Sequence, residues 1–242
     1  PIGVSWRRVE PDVTVSARLL NDAHVRICGY SREELSVPGA FRRISFPEDI
    51  AVQEPLYARL AAGEINQFSM EKRYRHRDGQ VVWVVLTQQR RNFPNGAYEE
   101  LSTLVDITER KRAEQELARE QARFRSIFEM VPIGLSWFVV GRQAETHTVN
   151  SAHARITGVP IERSREAALY AQATHPEDNI QQQELTARLQ RGEIDRFTLE
   201  KRYVHADGQV LWVALTVQIV ADPVTGEKNQ IASLIDLTEI KR

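Results

Sequence analysis

The sequence has a single cysteine, no long apolar run and no excess of charge of either sign. Cys28 cannot form an internal disulfide, and the longest strongly apolar run, Val81–Leu86, is far shorter than the roughly 20 residues that span a bilayer. Lys and Arg number 32 against 33 Asp and Glu, so the basic excess typical of phosphate binding is missing. We therefore expect a reduced, soluble, cytoplasmic protein without a nucleic-acid partner or membrane contact.

The composition is that of an ordinary globular protein. Of 242 residues, 42% are hydrophobic and 27% are charged, which excludes disordered and fibrous classes. The chain starts at Pro1, with no Met and no signal-peptide core. We therefore expect a part of a longer protein.

The sequence contains a duplication. Residues 65–87 reappear as residues 194–216, with 15 of 23 positions identical at a shift of 129. Shorter matches extend on both sides, among them Pro-Glu-Asp at 47–49 and 176–178. A period near 130 is too long for a solenoid unit and predicts two domains, each with its own core.

Each copy has the same predicted order of elements. A short strand comes first, at Ile2–Trp6 in the first copy, followed by small helices and one longer helix, and then by a three-stranded meander. The pair Asp78-Gly79 favours a two-residue hairpin turn, as does Asp207-Gly208. Such turns would place Tyr74 opposite Trp83, and Tyr203 opposite Trp212.

Several motifs recur in this order in both copies: Asn-x-Ala with a later Gly, Pro-Glu-Asp, Glu-Lys-Arg-Tyr, Asp-Gly, Trp-Val and a final Asp-(Ile/Leu)-Thr-Glu. Together they resemble the PAS domain with its C-terminal PAC segment. The resemblance implies an α+β fold: two PAS-like domains joined by a long helix, each a five-stranded antiparallel sheet with short helices on one face. We assign 1–108 to a first domain with a truncated N-terminal cap and 109–128 to a connector helix. Residues 129–242 form a second domain that ends at the start of an output helix.

The connector contains neither Gly nor Pro between Asp106 and Val131, which predicts one continuous helix. Asp106 and Glu109 fit a capping box, and Asp236 and Glu239 repeat it. We therefore expect the last strand of each sheet to be tied to the helix that follows. The candidate signal-coupling residues are Asp106, Thr108, Glu109, Asp236, Thr238 and Glu239.

The connector also has a partial heptad pattern of apolar residues, which favours a parallel coiled coil between two chains. A helix packed on its own domain is the alternative. A homodimer through connector helices and a downstream output domain are the expected partners.

Aromatic and charged residues of the meander are the other candidates. The aromatics that could line a pocket or pack on the sheet are Phe68, Tyr74, Trp83, Phe197, Tyr203 and Trp212. Alternation along a strand predicts a surface ion pair between Glu71 and Arg73, with the stem of Lys72 over aromatic surface. His76 and His205, one residue before the predicted turn position, are expected to be exposed.

Motifs for chemistry are missing. We find no acid, base or nucleophile constellation, no metal-ligand spacing, and no glycine-rich phosphate loop. Haem is disfavoured because no histidine matches a ligand position, and flavin photochemistry because Cys28 lies in Arg-Ile-Cys-Gly. The fragment is expected to have no catalytic site or metal, and any bound cofactor stays unknown.

The sequence leaves more than one function open. The favoured one is a sensory, signal-transducing region of a larger signalling protein, foremost a sensor histidine kinase, that relays a small-ligand or conformational signal through its connector helices. The alternatives are a ligand-free dimerisation or docking module and the sensor region of a diguanylate cyclase. An autonomous enzyme is disfavoured.

Overall fold

A computed structural model describes residues 2–241. The chain divides into two compact units, Pro1–Arg119 and Glu120–Arg242, and each contains one five-stranded antiparallel sheet. The first unit contains β1 (Ile2–Val9), β2 (Val15–Leu20), α1 (Asp22–Cys28), α2 (Arg32–Ser36), α3 (Ala40–Ile44), α4 (Pro47–Ala61), β3 (Gln67–Arg75), β4 (Val81–Asn92) and β5 (Tyr98–Asp106), and it ends within α5 (Thr108–Met130). Its strands are ordered β2-β1-β5-β4-β3.

The second unit repeats this plan. It contains β6 (Gly134–Val139), α6 (Gln143–Thr146), β7 (Thr148–Val149), α7 (Ser151–Thr157), a 3₁₀ turn (Ile161–Arg163), α8 (Ala167–Ala173), α9 (Pro176–Gln190), β8 (Arg196–Val204), β9 (Val210–Ala221), β10 (Lys228–Asp236) and α10 (Thr238–Lys241). The strand order is β7-β6-β10-β9-β8. The α+β fold with two five-stranded sheets is thus confirmed. The residue patterns alone did not reveal β2 and β7, which are edge strands.

Local sequence explains the short helices well. The Asn21 side chain accepts a hydrogen bond from the His24 amide at the start of α1, and Gly29 ends this helix with φ +75°. Asn150 and Gly158 do the same for α7. In α4 and α9, a proline occupies the first turn, where its missing N–H costs no hydrogen bond.

The core of each domain lies between the sheet and these helices. Along β4, Val84, Leu86 and Gln88 point to the covered side and are buried. Side chains on a strand alternate between faces, so the intervening residues face the other way.

The predicted hairpin register was wrong by one residue. The His76 amide donates a hydrogen bond to the Gln80 carbonyl at 2.9 Å and closes the loop. The loop therefore contains three residues, and the last of them, Gly79, has φ +87°. The Asp78 carboxylate accepts from the Gln80 amide, which stabilises this longer turn. Arg73, not Tyr74, is therefore opposite Trp83. Likewise, Trp212 pairs with Arg202 instead of Tyr203. Tyr and Trp of each pair consequently lie on opposite faces.

Candidate functional site

The first domain has a pocket of about 380 Å³ between its sheet and its helices. Its apolar walls include Phe41, Tyr74, Leu86 and Leu104, and Tyr74 is almost completely buried. This volume is at the lower end of the range of about 300–1,000 Å³ that is usual for small-molecule sites. The pocket is therefore large enough for a small ligand.

A network of charged and phenolic groups forms one side of this pocket. Arg7 Nε donates to Glu100 Oε2 at 2.7 Å, and Arg7 Nη2 donates to the Tyr57 hydroxyl at 3.0 Å. The Tyr57 hydroxyl in turn donates to Glu100 Oε1 at 2.6 Å, and Arg90 Nη1 lies 3.5 Å from the same oxygen. Glu100 is only 2% exposed, so these partners replace the hydrogen bonds that water would otherwise donate to its carboxylate.

Two further side chains of the same pocket, His24 and Arg18, have polar atoms that could bind a ligand. The His24 ring is buried, and neither Nδ1 nor Nε2 has a hydrogen-bond partner among residues 2–241. Burial, together with the nearby positive charge of Arg18, lowers the pKa of His24 to about 4, so the ring is neutral at pH 7. Arg18 donates one N–H to the Ser36 carbonyl but forms no ion pair with a carboxylate of the described chain.

The second domain has a pocket of about 430 Å³ in the same place, with different chemistry. None of the described residues that line it is Asp, Glu, Lys or Arg. Phe138 and Gln230 are paired across the strands where the first domain has Arg7 and Glu100. The rings of His147, His153 and Tyr170 meet there, with centroids 5.5–6.5 Å apart. Burial is the main reason why the pKa of His153 falls to about 3.

A buried lysine lies beside each pocket. Lys201 Nζ donates to Thr174 Oγ1 at 2.7 Å and to Gln182 Oε1 at 2.6 Å, and it lies 3.9 Å from the centre of the Tyr203 ring. Lys72 Nζ donates to Gln53 Oε1 and lies 4.9 Å from the Tyr74 ring centre. Desolvation lowers the pKa to about 7 in Lys201 and about 8 in Lys72. The ammonium groups themselves lie over the aromatic rings and are buried, which the strand pattern did not predict.

The same set of hydrogen bonds attaches the helix that follows the last strand in both domains. In the first, the Asp106 carboxylate accepts from the Thr108 amide at 2.8 Å, and Thr108 Oγ1 accepts from the Trp83 amide at 3.0 Å. The Ile107 amide donates to the Trp83 carbonyl. The second domain has the same bonds among Asp236, Leu237, Thr238 and Trp212.

Glu109 does not complete the predicted capping box. Asp106 is the last residue of β5 and pairs with Val84, while the Glu109 carboxylate accepts from Arg112 at 2.9 Å in solvent. Glu239 is likewise exposed. The helix begins two residues after Asp106, so Glu109 is in its first turn and too early to act as the third residue.

The other candidate residues are placed as follows. Of the six aromatics, Tyr74 and Tyr203 line the pockets, and Phe68 and Phe197 are in the cores. Trp83 and Trp212 lie on the opposite face of each sheet. There Lys111 and Lys241 of the following helices approach the two indole rings.

The predicted ion pair between Glu71 and Arg73 was wrong. Glu71 binds Arg110 and Lys111 at the start of α5, whereas Arg73 binds Asp49 of α4. Both partners come from elements that are distant in sequence, so strand alternation could not reveal them. His76 and His205 are partly buried instead of exposed, because each imidazole packs on the glycine that ends the short helix.

One acidic group has the geometry for a cation. His175, Glu177 and Asp178 bring ligand atoms within 4.8 Å of one another. Both carboxylates, however, are bound to Arg202, with Nη2 at 2.7 Å from each. The guanidinium therefore offsets one of the two negative charges and occupies carboxylate oxygens that a metal would require.

No helix within residues 2–241 is both long and apolar enough to cross a membrane.

Comparison with known proteins gives the family. The family model of the PAS fold matches residues 18–103 and 146–232. A probable diguanylate cyclase, DgcE of Escherichia coli K12, is 38% identical over 96 residues, which are 39% of this chain but only 9% of that protein.

Two solved structures are similar as well. One is a sensory box histidine kinase/response regulator from Burkholderia thailandensis, at 27% identity and TM-score 0.38, covering 52% of this chain and 91% of that one. The other is the N-terminal domain of a diguanylate cyclase with PAS/PAC sensor from Marinobacter aquaeolei, at 16% identity and TM-score 0.40, covering 46% and 99%. The family match covers most of both repeats, and the chain therefore belongs to the PAS fold family, with one PAS domain in each repeat.

Proposed function

We propose that this chain is the sensory, signal-transducing region of a larger signalling protein. The observation that carries the proposal is the course of β5: Glu100, Ser102 and Leu104 line the first pocket, and Asp106, on the same strand, holds the start of α5. A ligand that displaces β5 displaces the helix start with it. β10 has the same arrangement, with Gln230 and Ala232 in the pocket and Asp236 at the start of α10.

Ion pairs strengthen the proposed coupling. Lys111 Nζ lies 2.6 Å from Glu71 Oε2, and Lys241 Nζ lies 2.7 Å from Glu200 Oε2. These surface pairs add little free energy, because water screens them. They do favour one orientation of each helix against its sheet.

For the output, the sequence favours a sensor histidine kinase, while the similarity to a probable diguanylate cyclase supports the cyclase alternative. In either protein the helix after β10 would lead to the output domain. We propose that two chains pair in parallel through α5, where Leu117, Phe124 and Ile127 are 55–63% exposed. Sedimentation analysis tests this pairing, and a chain that stays monomeric at high concentration contradicts it.

The coupling is tested with Asp106→Ala, and Glu109→Ala is the matched control. Loss of the Asp106 acceptor should cost about 0.5–2 kcal/mol and increase hydrogen exchange in the first turn of α5. Glu109, whose carboxylate contacts only Arg112, should change neither. For the function itself, Asp236→Ala should uncouple a diguanylate cyclase domain fused after α10 from ligand addition. A ligand-free docking module predicts an output that responds to no small molecule in either form.

A further inference from the structure

The first pocket carries a positive charge that the protein does not neutralise. Glu100 faces both Arg7 and Arg90, and Arg42 is paired with Glu54. Arg18 also lines the pocket and has no carboxylate partner within residues 2–241. Burial and the charge of Arg7 lower the pKa of Arg18, as expected for a cation without a counter-charge. Arg18 can therefore pair with the anionic group of a ligand without breaking an ion pair of the protein.

His24 supplies a second, independent observation. Its ring is 2% exposed and faces the pocket, yet both nitrogens are without a partner in the described chain. A buried polar atom without a hydrogen bond destabilises the folded state, so a ligand that supplies the missing partner would be favoured. A neutral imidazole can donate one hydrogen bond and accept another. A ligand with an oxygen acceptor or a hydroxyl would satisfy it.

The remaining walls determine the size and character of the ligand. Phe41, Tyr74, Leu86 and Leu104 give the pocket apolar surface, and its volume of about 380 Å³ exceeds what a bare inorganic ion fills. An anion with a carbon skeleton would cover this surface while its charge meets the guanidinium of Arg18.

We propose that the first PAS domain binds a small organic carboxylate, with Arg18 as the charged partner and His24 as the neutral hydrogen-bonding partner. The second domain does not bind this class, because His147 and Phe138 replace Arg18 and Arg7 in its pocket. The inference deepens the proposed sensory function by naming a ligand class for one of the two domains. It predicts one carboxylate for each chain.

The test is calorimetric titration of the whole chain with benzoate and succinate. Their neutral amides, benzamide and succinamide, and inorganic phosphate are titrated in parallel. We expect a carboxylate to bind with one site for each chain, while its amide and phosphate do not. Arg18→Gln should weaken binding by about tenfold to a hundredfold, because one charge-assisted pair is lost. Arg26→Gln, which removes an exposed arginine of α1, should bind as the unmodified chain does.

A second measurement does not depend on any variant. The ¹⁵N resonances of the His24 ring should shift when the carboxylate is added, whereas those of His153 should not. Equal binding of amides and acids, undiminished binding to Arg18→Gln, or no binding of either carboxylate at millimolar concentration would overturn the proposal. The coupling test on Asp106 uses no ligand, so the strand-to-helix mechanism can stand when the carboxylate proposal fails.

Discussion

The replacement Lys201→Met tests whether a positive charge is buried beside the second pocket. Methionine keeps the length and much of the shape of the side chain but removes the ammonium group. Desolvation lowers the pKa of Lys201 from 10.5 to about 7. The folded protein therefore releases this proton near neutral pH, while the unfolded chain keeps it up to its ordinary pKa. Between these two values the unfolded state binds more protons, and stability rises with pH.

The magnitude follows from proton linkage. From about pH 6 to about pH 9, the titration of Lys201 should raise the free energy of unfolding of the unmodified protein by about 2.5 kcal/mol. The Lys201→Met variant lacks this gain, so its stability relative to the unmodified protein is most favourable at the lower pH. The titration of Lys72 should raise the free energy of unfolding of the unmodified protein by only about 1.4 kcal/mol over the same range, since the Lys72 pKa is lowered only to about 8. The Lys72→Met variant should lack this smaller gain.

The assay is urea unfolding of each variant at both pH values, followed by tryptophan fluorescence. Lys228→Met, at an exposed position of β10, is the control and should differ from the unmodified protein by a constant amount. The difference between variant and unmodified protein cancels the other titrating groups. A pH-independent difference for Lys201→Met would refute the reasoning, because it would mean that the ammonium group is solvated in the folded state.

Two further predictions concern contacts that join a helix to the sheet in each domain. Gly29→Ala should destabilise the first domain more than Gly39→Ala: both glycines have φ near +76°, but an added Cβ at Gly29 would lie within 2.6 Å of the His76 ring, whereas the space at Gly39 is open. The backbone conformation costs each about 1–2 kcal/mol, so equal melting temperatures would contradict the close approach to His76. Asp178→Asn should cost about 1.5–3 kcal/mol in urea unfolding, because Asp178 accepts hydrogen bonds from the Arg202 amide and guanidinium, which also lower its pKa. Glu177→Gln, at a carboxylate that is 74% exposed, should cost much less, and a loss as large as that of Asp178→Asn would be inconsistent with this account.

The duplication and most element positions follow from the sequence, because repeats, caps and breakers act locally, whereas the five-stranded α+β fold was implied by the resemblance of the motifs to PAS domains. The Asn21 cap and the Gly29 stop define α1 within nine residues of chain. Asp78-Gly79 marked the hairpin, but the loop holds one residue more than that pair indicates. A shift of one residue exchanges the faces of a strand, so the local signal found the turn and missed the partners of Tyr74 and Trp83.

The chemistry of the pockets depends on contacts between residues that are distant in sequence. Arg7 and Glu100 are 93 residues apart, and Tyr57 joins them from a helix, so no local pattern could bring them together. The sequence also could not tell that Lys72 and Lys201 are buried, since burial depends on the helices packed above the strand. The alignment of the two repeats does contain the difference between Arg7 and Phe138. This difference affects ligand binding because the sheet places both residues in pockets, where a charge interacts more strongly than it does in water.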